Sequence, residues 1–207
     1  RAQVAGTVHA PSKPRAGEVA PLVLILHGNH GICREADGTE HCLLRALQER
    51  KCPDGMSWIP NAAGMAWLAD TLAAAGMVVA VIDANTTNCV PLPGPVHGRV
   101  MLLMEHLRHW RAWGGAGADP FAQQFAGRVD LNNVAVIGHS NGGEAAVLLS
   151  DILHRNHFEA ALRDVDIGAV VTMAPTDNML AAADGPALLT MLPSCDQQVS
   201  FLDGKRI

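Results

Sequence analysis

The stretch Ala135–Leu149, AVIGHSNGGEAAVLL, decides how the rest of the chain is read. Four apolar residues run into Gly138-His139-Ser140-Asn141-Gly142-Gly143, and a helical pattern starts at once. A strand that turns directly into a helix needs a tight corner. The corner residue takes strained backbone angles, and its neighbours on either side must be small. Gly138 and Gly142 flank Ser140 in that way, and Gly143 lets the helix start pack closely. Ser140 then projects beyond the end of the strand, over the free amides and positive dipole end of the helix. A serine so placed is a candidate nucleophile. The plainer alternative is a helix-capping serine in an ordinary strand–helix turn.

Working outward, the apolar run Leu22–Leu26 in PLVLILHG lacks alternation and stops at Gly28, as a strand buried on both faces does. QVAGTVHAP is a short strand, MVVAVID (77–83) a second buried strand, and DIGAVVTMAP (166–175) and PALLTMLP (186–193) two more. Between them lie a helix around 63–76 stopped by Gly76, a long helix over about Val96–Trp113, and a helix from Asn141 to Leu153. Val100, Leu103, Met104, Leu107 and Trp110 make the inner stripe of the long helix. A short helix is expected near Leu43–Gln48. GGAGADPFAQQFAGRVD reads as a surface connection with a possible helical turn, and DNMLAAADG as a loop or short helix. Apolar strands alternating with helices specify an α/β fold, a mostly parallel sheet with helices on both faces. Ligands then bind beyond the carboxyl ends of the strands. The 207 residues make one domain, with a long cysteine-containing excursion at about 29–61.

Composition narrows the classes. Charged residues are 17% and the net charge is -5 without a basic cluster, so nucleic acid is not the expected partner. No run of 18 apolar residues suggests a membrane span. No G-x-G-x-x-G follows the first buried strand and no G-x-x-x-x-G-K-[ST] occurs, which argues against a nucleotide enzyme. Of the five cysteines, Cys33, Cys42 and Cys52 fall in the excursion. At least one disulfide is expected there, which favours an extracellular location; reduced cytoplasmic thiols are the alternative. No metal is expected: the His41/Cys42/Cys52 spacing lacks a paired knuckle, and Glu35, Asp37 and Glu40 read as a solvated loop.

LHGNHG (26–31) supports a nucleophilic Ser140. An acyl-transfer serine needs amides aimed at the oxyanion that forms on its substrate. One comes from Asn141; the other comes from Asn29 or His30, in a loop that Gly28 lets turn tightly. His27 reads as a brace of that loop, and His139 as packing near it. The acid that orients a base histidine is expected at Asp196, just past the last strand, with Asp177 as competitor. The base is the difficulty. Of ten histidines none follows Asp196, and His106 and His109 read as surface or satisfied residues.

GTVHAP, PLVLILHGNHG, GMVVAVIDANTTNC, HLRHW, VAVIGHSNGGEAA and LPSCDQQV together resemble the α/β-hydrolase superfamily, in particular secreted bacterial serine hydrolases of the lipase, cutinase and acetylhydrolase-like type. The resemblance implies Ser140 as nucleophile, Asp196 as acid, Asn29 or His30 with Asn141 as oxyanion hole, and Gly138, His139 and Gly142 as the elbow. It implies a small or lipid-like ester as substrate and no cofactor. It places the base histidine in a loop after one more strand. The chain is accordingly expected to be truncated at both ends, to lack the last strand and helix, and to be nearly inactive alone. A non-catalytic binding protein of the same fold is the alternative. Oligomeric state is left open.

Overall fold

The computed structural model describes residues 4–12, 17, 19–91, 94–114, 120–156 and 160–196. In chain order the strands are β1 (Gly6–His9), β2 (Ala20–Leu26), β3 (Cys33–Arg34), β4 (Glu40–His41), β5 (Ser57–Trp58), β6 (Val78–Ile82), β7 (Val129–His139), β8 (Ile167–Met173) and β9 (Ala187–Met191). The helices are α1 (Leu44–Glu49), α2 (Ala66–Ala74), α3 (Gly94–Gly114), α4 (Pro120–Gln123) and α5 (Asn141–Asn156).

Six strands form one sheet in the order β1-β6-β2-β7-β8-β9, parallel throughout except that β1 runs antiparallel to β6. The unbroken apolar runs are explained by burial on both sides. Leu22, Leu24 and Leu26 of β2, with Val78, Ala80 and Ile82 of β6, enter the core under α3 and α5. Val23 and Ile25, with Val79 and Val81, enter the core under α2. Successive side chains of a strand point to opposite faces, so a strand covered by helices on both sides must be apolar at every position. Met65, Leu68, Ala69 and Leu72 all join the α2-side core, and the helix stops just before Gly76 at φ 101°.

Three features depart from the sequence reading. β7 begins at Val129, six residues before the apolar run at Ala135 that leads into Ser140, and its register against β2 shifts between Pro21 and Leu22. His106 is not a surface residue: it is 5% exposed, and its Nε2 has no hydrogen-bond partner among the described residues. The excursion carries a three-stranded sheet, β4-β3-β5, with its own small core of Ile32, Cys33, Ala46 and Cys52. Strands of two residues have no periodicity to read.

Cystines pin this excursion. Cys33 pairs with Cys52 inside it, as expected of the cluster, while Cys42 reaches Cys89 in the loop after β6. Cys195 is free and exposed. Two cystines fit an oxidising environment. Among the described residues no helix is long and apolar enough to cross a membrane.

Chain order sets where a ligand fits. From β2 the chain moves to β6 on one side; β7 lies on the other side of β2. The connection after β2 leads to α2 on one face, and the turn after β7 leads to α5 on the opposite face. Loops that diverge in this way leave a crevice beyond the strand ends, between β2 and β7.

Candidate active site

Ser140 lies just past the carboxyl end of β7, next to the end of β2. It is the single turn residue between β7 and α5, and its φ of 54° lies in the left-handed region. A non-glycine residue there is strained, and the surroundings hold it in place. Its N–H donates to Met173 O at 2.9 Å, and its carbonyl accepts from the Gly143 N–H at 2.8 Å. The neighbouring glycines are required by distance. A Cβ on Gly138 would lie 2.1 Å from Gly142 O, and one on Gly142 would lie 2.8 Å from both Leu26 O and His27 O. The first turn of α5 therefore rests on the backbone ends of β7 and β2.

The loop after β2 reaches Ser140 just as closely. A Cβ on Gly28 would meet His139 Nδ1 at 2.8 Å, Ser140 Cβ at 2.9 Å and His30 Nε2 at 3.2 Å. One glycine thus stands among the serine and two imidazoles. The His30 and His139 rings lie nearly parallel, 5° apart, with centroids separated by 5.7 Å. Burial pulls His30 below the usual histidine range, helped by the neighbouring His139 and His27. Burial also pulls His139 down, against the charge of Asp196, which raises it. The Asp196 carboxylate therefore acts on the ring next to Ser140. Asp177 is buried in the loop after β8.

His27 braces the loop, as its position before Gly28 suggested. Its Nδ1–H donates to Gly28 O at 2.8 Å, and its Nε2 accepts the Ala84 N–H at 3.0 Å. These two bonds hold the ring between the Gly28 loop and the end of β6. Asn88, fully buried, donates from Nδ2 to His30 O at 2.9 Å. Asn61 Nδ2 holds Gly31 O at 3.0 Å, and Glu40 Oε2 takes the Gly31 N–H at 3.1 Å. Asn29 Oδ1 accepts the Cys89 N–H at 3.3 Å, beside the cystine to Cys42. Among the described residues, the N–H groups of Asn29, His30 and Asn141 donate no hydrogen bond.

Two buried charged residues were not anticipated. Arg99 lies in the inner stripe of α3 and is fully buried; burial pulls its guanidinium down to about 9, so it stays charged at neutral pH. Glu144, also fully buried, accepts from Thr176 Oγ1 at 2.5 Å, Asn178 Nδ2 at 3.0 Å and the Met179 N–H at 2.5 Å. It fastens the loop after β8 to the start of α5. Thr176 Oγ1 also lies 2.9 Å from Asn141 Oδ1. A hydroxyl has one proton, and the shorter contact to Glu144 takes it. The Asn141 amide is then satisfied in its flipped orientation, with its NH2 donating to Thr176. A charge in an otherwise apolar helical stripe, as at Arg99 between Val96 and Val100, was the one sequence signal for such residues.

The acidic residues of the excursion are engaged. Arg34 pairs with Glu40 at 2.8 Å, His41 with Glu35 at 2.7 Å, and Asp37 accepts the Thr39 N–H at 2.9 Å.

No model of a known protein family matches the chain, and no curated protein matches it either.

Proposed function

We propose that the protein is a serine hydrolase of the α/β-hydrolase fold that cleaves carboxylic esters through an acyl-enzyme. The observation that carries this reading is Ser140: a left-handed serine at the strand–helix turn, packed against the Gly28 loop beside amides that donate no hydrogen bond among the described residues. Strain at one serine, at the crevice where the sheet changes direction, is the geometry of a nucleophile presented to a ligand.

In this reading Ser140 Oγ attacks the ester carbonyl. The oxyanion is held by the Asn141 N–H and by that of Asn29 or His30. The alcohol leaves, and water releases the acyl group. By the resemblance, the protons pass through a histidine that follows the acid in the chain, and Asp196 orients it. The substrate is a small or lipid-like ester, and the chemistry needs no cofactor. Two cystines fit a secreted protein.

One observation favours a non-catalytic reading of the same fold. Among the described residues no histidine hydrogen-bonds the Ser140 hydroxyl, and a serine without a base is a poor nucleophile. Fluorophosphonate labelling separates the readings. The hydrolase reading expects covalent labelling and p-nitrophenyl ester turnover in the full-length protein, both abolished by Ser140→Ala. Absence of labelling in full-length protein would leave the binding role.

A further inference from the structure

The carbonyls of His27 and Gly28 converge on a single buried side chain. Arg99 donates from Nε to His27 O at 3.1 Å and from Nη2 to Gly28 O at 2.6 Å. The same guanidinium donates to Pro95 O at 3.0 Å and to Asn88 Oδ1 at 2.5 Å. All four acceptors are neutral. A fully buried cation ordinarily sits against an anion, because removing it from water is costly. Here it sits against three peptide carbonyls and one side-chain amide instead, and two of the carbonyls belong to the loop beside Ser140.

Peptide geometry says what this contact does. In a trans peptide the C=O and the N–H point in opposite directions. Gly28 O and the Asn29 N–H belong to one such plane. Drawing the carbonyl inward onto Arg99 turns the Asn29 N–H outward, and Asn29 lies exposed. The plane two residues on is engaged at both ends: its carbonyl, His30 O, is held by Asn88, and its N–H, on Gly31, by Glu40. The plane between them, Asn29 C=O with His30 N–H, is held at neither end by a hydrogen bond among the described residues. The sequence left Asn29 and His30 as equal candidates for the oxyanion donor. The hydrogen bonds separate them, because only the Asn29 N–H lies on a plane that a buried group orients. A hydrogen bond from a cation to the carbonyl also polarises the amide at the other end of the same peptide.

We propose that Arg99 is a positioning residue that aims and polarises the Asn29 N–H, so that Asn29 and Asn141 together form the oxyanion hole of Ser140. This rests on the hydrolase reading above. The uncompensated charge then has a role in turnover: it acts through one peptide on negative charge that develops only in the transition state.

The test compares Arg99→Lys, which keeps the charge but loses the fork, with Arg99→Gln, which keeps a donor but loses the charge, in full-length protein. With p-nitrophenyl butyrate, kcat of Arg99→Gln falls by about 10–100-fold, less than loss of a direct donor, while KM changes by less than about threefold. Arg99→Lys falls less. Affinity for an alkyl trifluoromethyl ketone, whose hemiketal on Ser140 carries an oxyanion, falls in step with kcat/KM. Affinity for the matching alkyl amide, which binds without forming an oxyanion, does not change. Equal loss for both compounds, or a lower melting temperature with kcat and ketone affinity intact, would mean that Arg99 serves the fold alone. A measurement on the unmutated protein does not depend on the variants folding. On adding the ketone, the amide proton resonances of Asn29 and Asn141 move downfield and that of His30 does not. Movement of His30 in place of Asn29 overturns the assignment. Hydrolysis unaffected by Ser140→Ala would instead refute the hydrolase reading itself, an outcome distinct from a Ser140-dependent enzyme indifferent to Arg99.

Discussion

Replacing His106 by leucine should make the protein less sensitive to acid. The His106 ring lies on the inner side of α3, 5% exposed, with Nε2 unpartnered among the described residues. Burial, with a smaller push from His109 and an opposing pull from Glu105, lowers it from 6.5 to about 4. In the unfolded chain the imidazole takes up its proton near its ordinary value. In the folded chain it resists until the pH is far lower. The unfolded state therefore binds more protons across this window, and stability falls as pH drops from about 6.5 to about 4. The full shift corresponds to about 3 kcal/mol, of which about 2 kcal/mol is lost between pH 7 and pH 5. Leucine fills a similar volume and does not titrate. Urea unfolding of both proteins, with cystines intact and tryptophan fluorescence as the signal, gives the comparison. The unmutated protein should lose about 2 kcal/mol more than His106→Leu between the two pH values, because the other carboxylates and histidines cancel in the difference. Parallel pH dependences would refute the reasoning and mean that the ring finds a proton acceptor or water in the folded state.

Gly138→Ala should destabilise the protein by about 3 kcal/mol or displace Ser140, because its Cβ would overlap the first turn of α5; a melting curve combined with fluorophosphonate labelling reads both effects. Asp196→Asn in full-length protein should leave the fold intact and lower turnover of p-nitrophenyl esters roughly 10²–10⁴-fold, and near-normal turnover would move the acid to Asp177. Thiol titration of unfolded, unreduced protein should find one thiol, Cys195, and five after reduction. Replacing Cys42 and Cys89 by serine should cost up to about 4 kcal/mol on loop-closure entropy, and an unchanged urea midpoint would mean that the native loop gains nothing from the link.

Much of the sheet was legible because Leu22–Leu26 of β2 and Val78–Ile82 of β6 are apolar at every position, and only a strand covered on both sides carries such a run at that length. The strand–helix corner at Ser140 was legible because glycine spacing reports a steric need that is local in sequence. What escaped depends on distant partners. Cys42 pairs across the fold with Cys89, which no spacing within the excursion indicates. Arg99 interrupts an apolar stripe, but its role shows only when the carbonyls of His27 and Gly28 are seen to turn onto it. Asn29 and His30 could not be told apart because the orientation of a peptide plane is set by what holds its carbonyl, and here the holder lies on α3, some 70 residues on. The role of Glu144 depends on Thr176, Asn178 and Met179, which come from the loop after β8, more than 30 residues on.

The small core of the excursion bears on how this protein can diversify. Ile32, Cys33, Ala46 and Cys52 pack among themselves, apart from the two clusters that line the main sheet. Substitutions at sites without shared partners tend to add in their effects on stability. Outer positions of this segment, such as Leu44 and Arg45, can therefore vary without repacking the strands that present Ser140. The joints at Gly31, Asn61 and the Cys42–Cys89 link must stay, since they fasten the segment to the loop beside the serine. A library confined to the outer face of residues 35–56, with those joints untouched, would explore new surfaces near the crevice while the scaffold beneath keeps its stability.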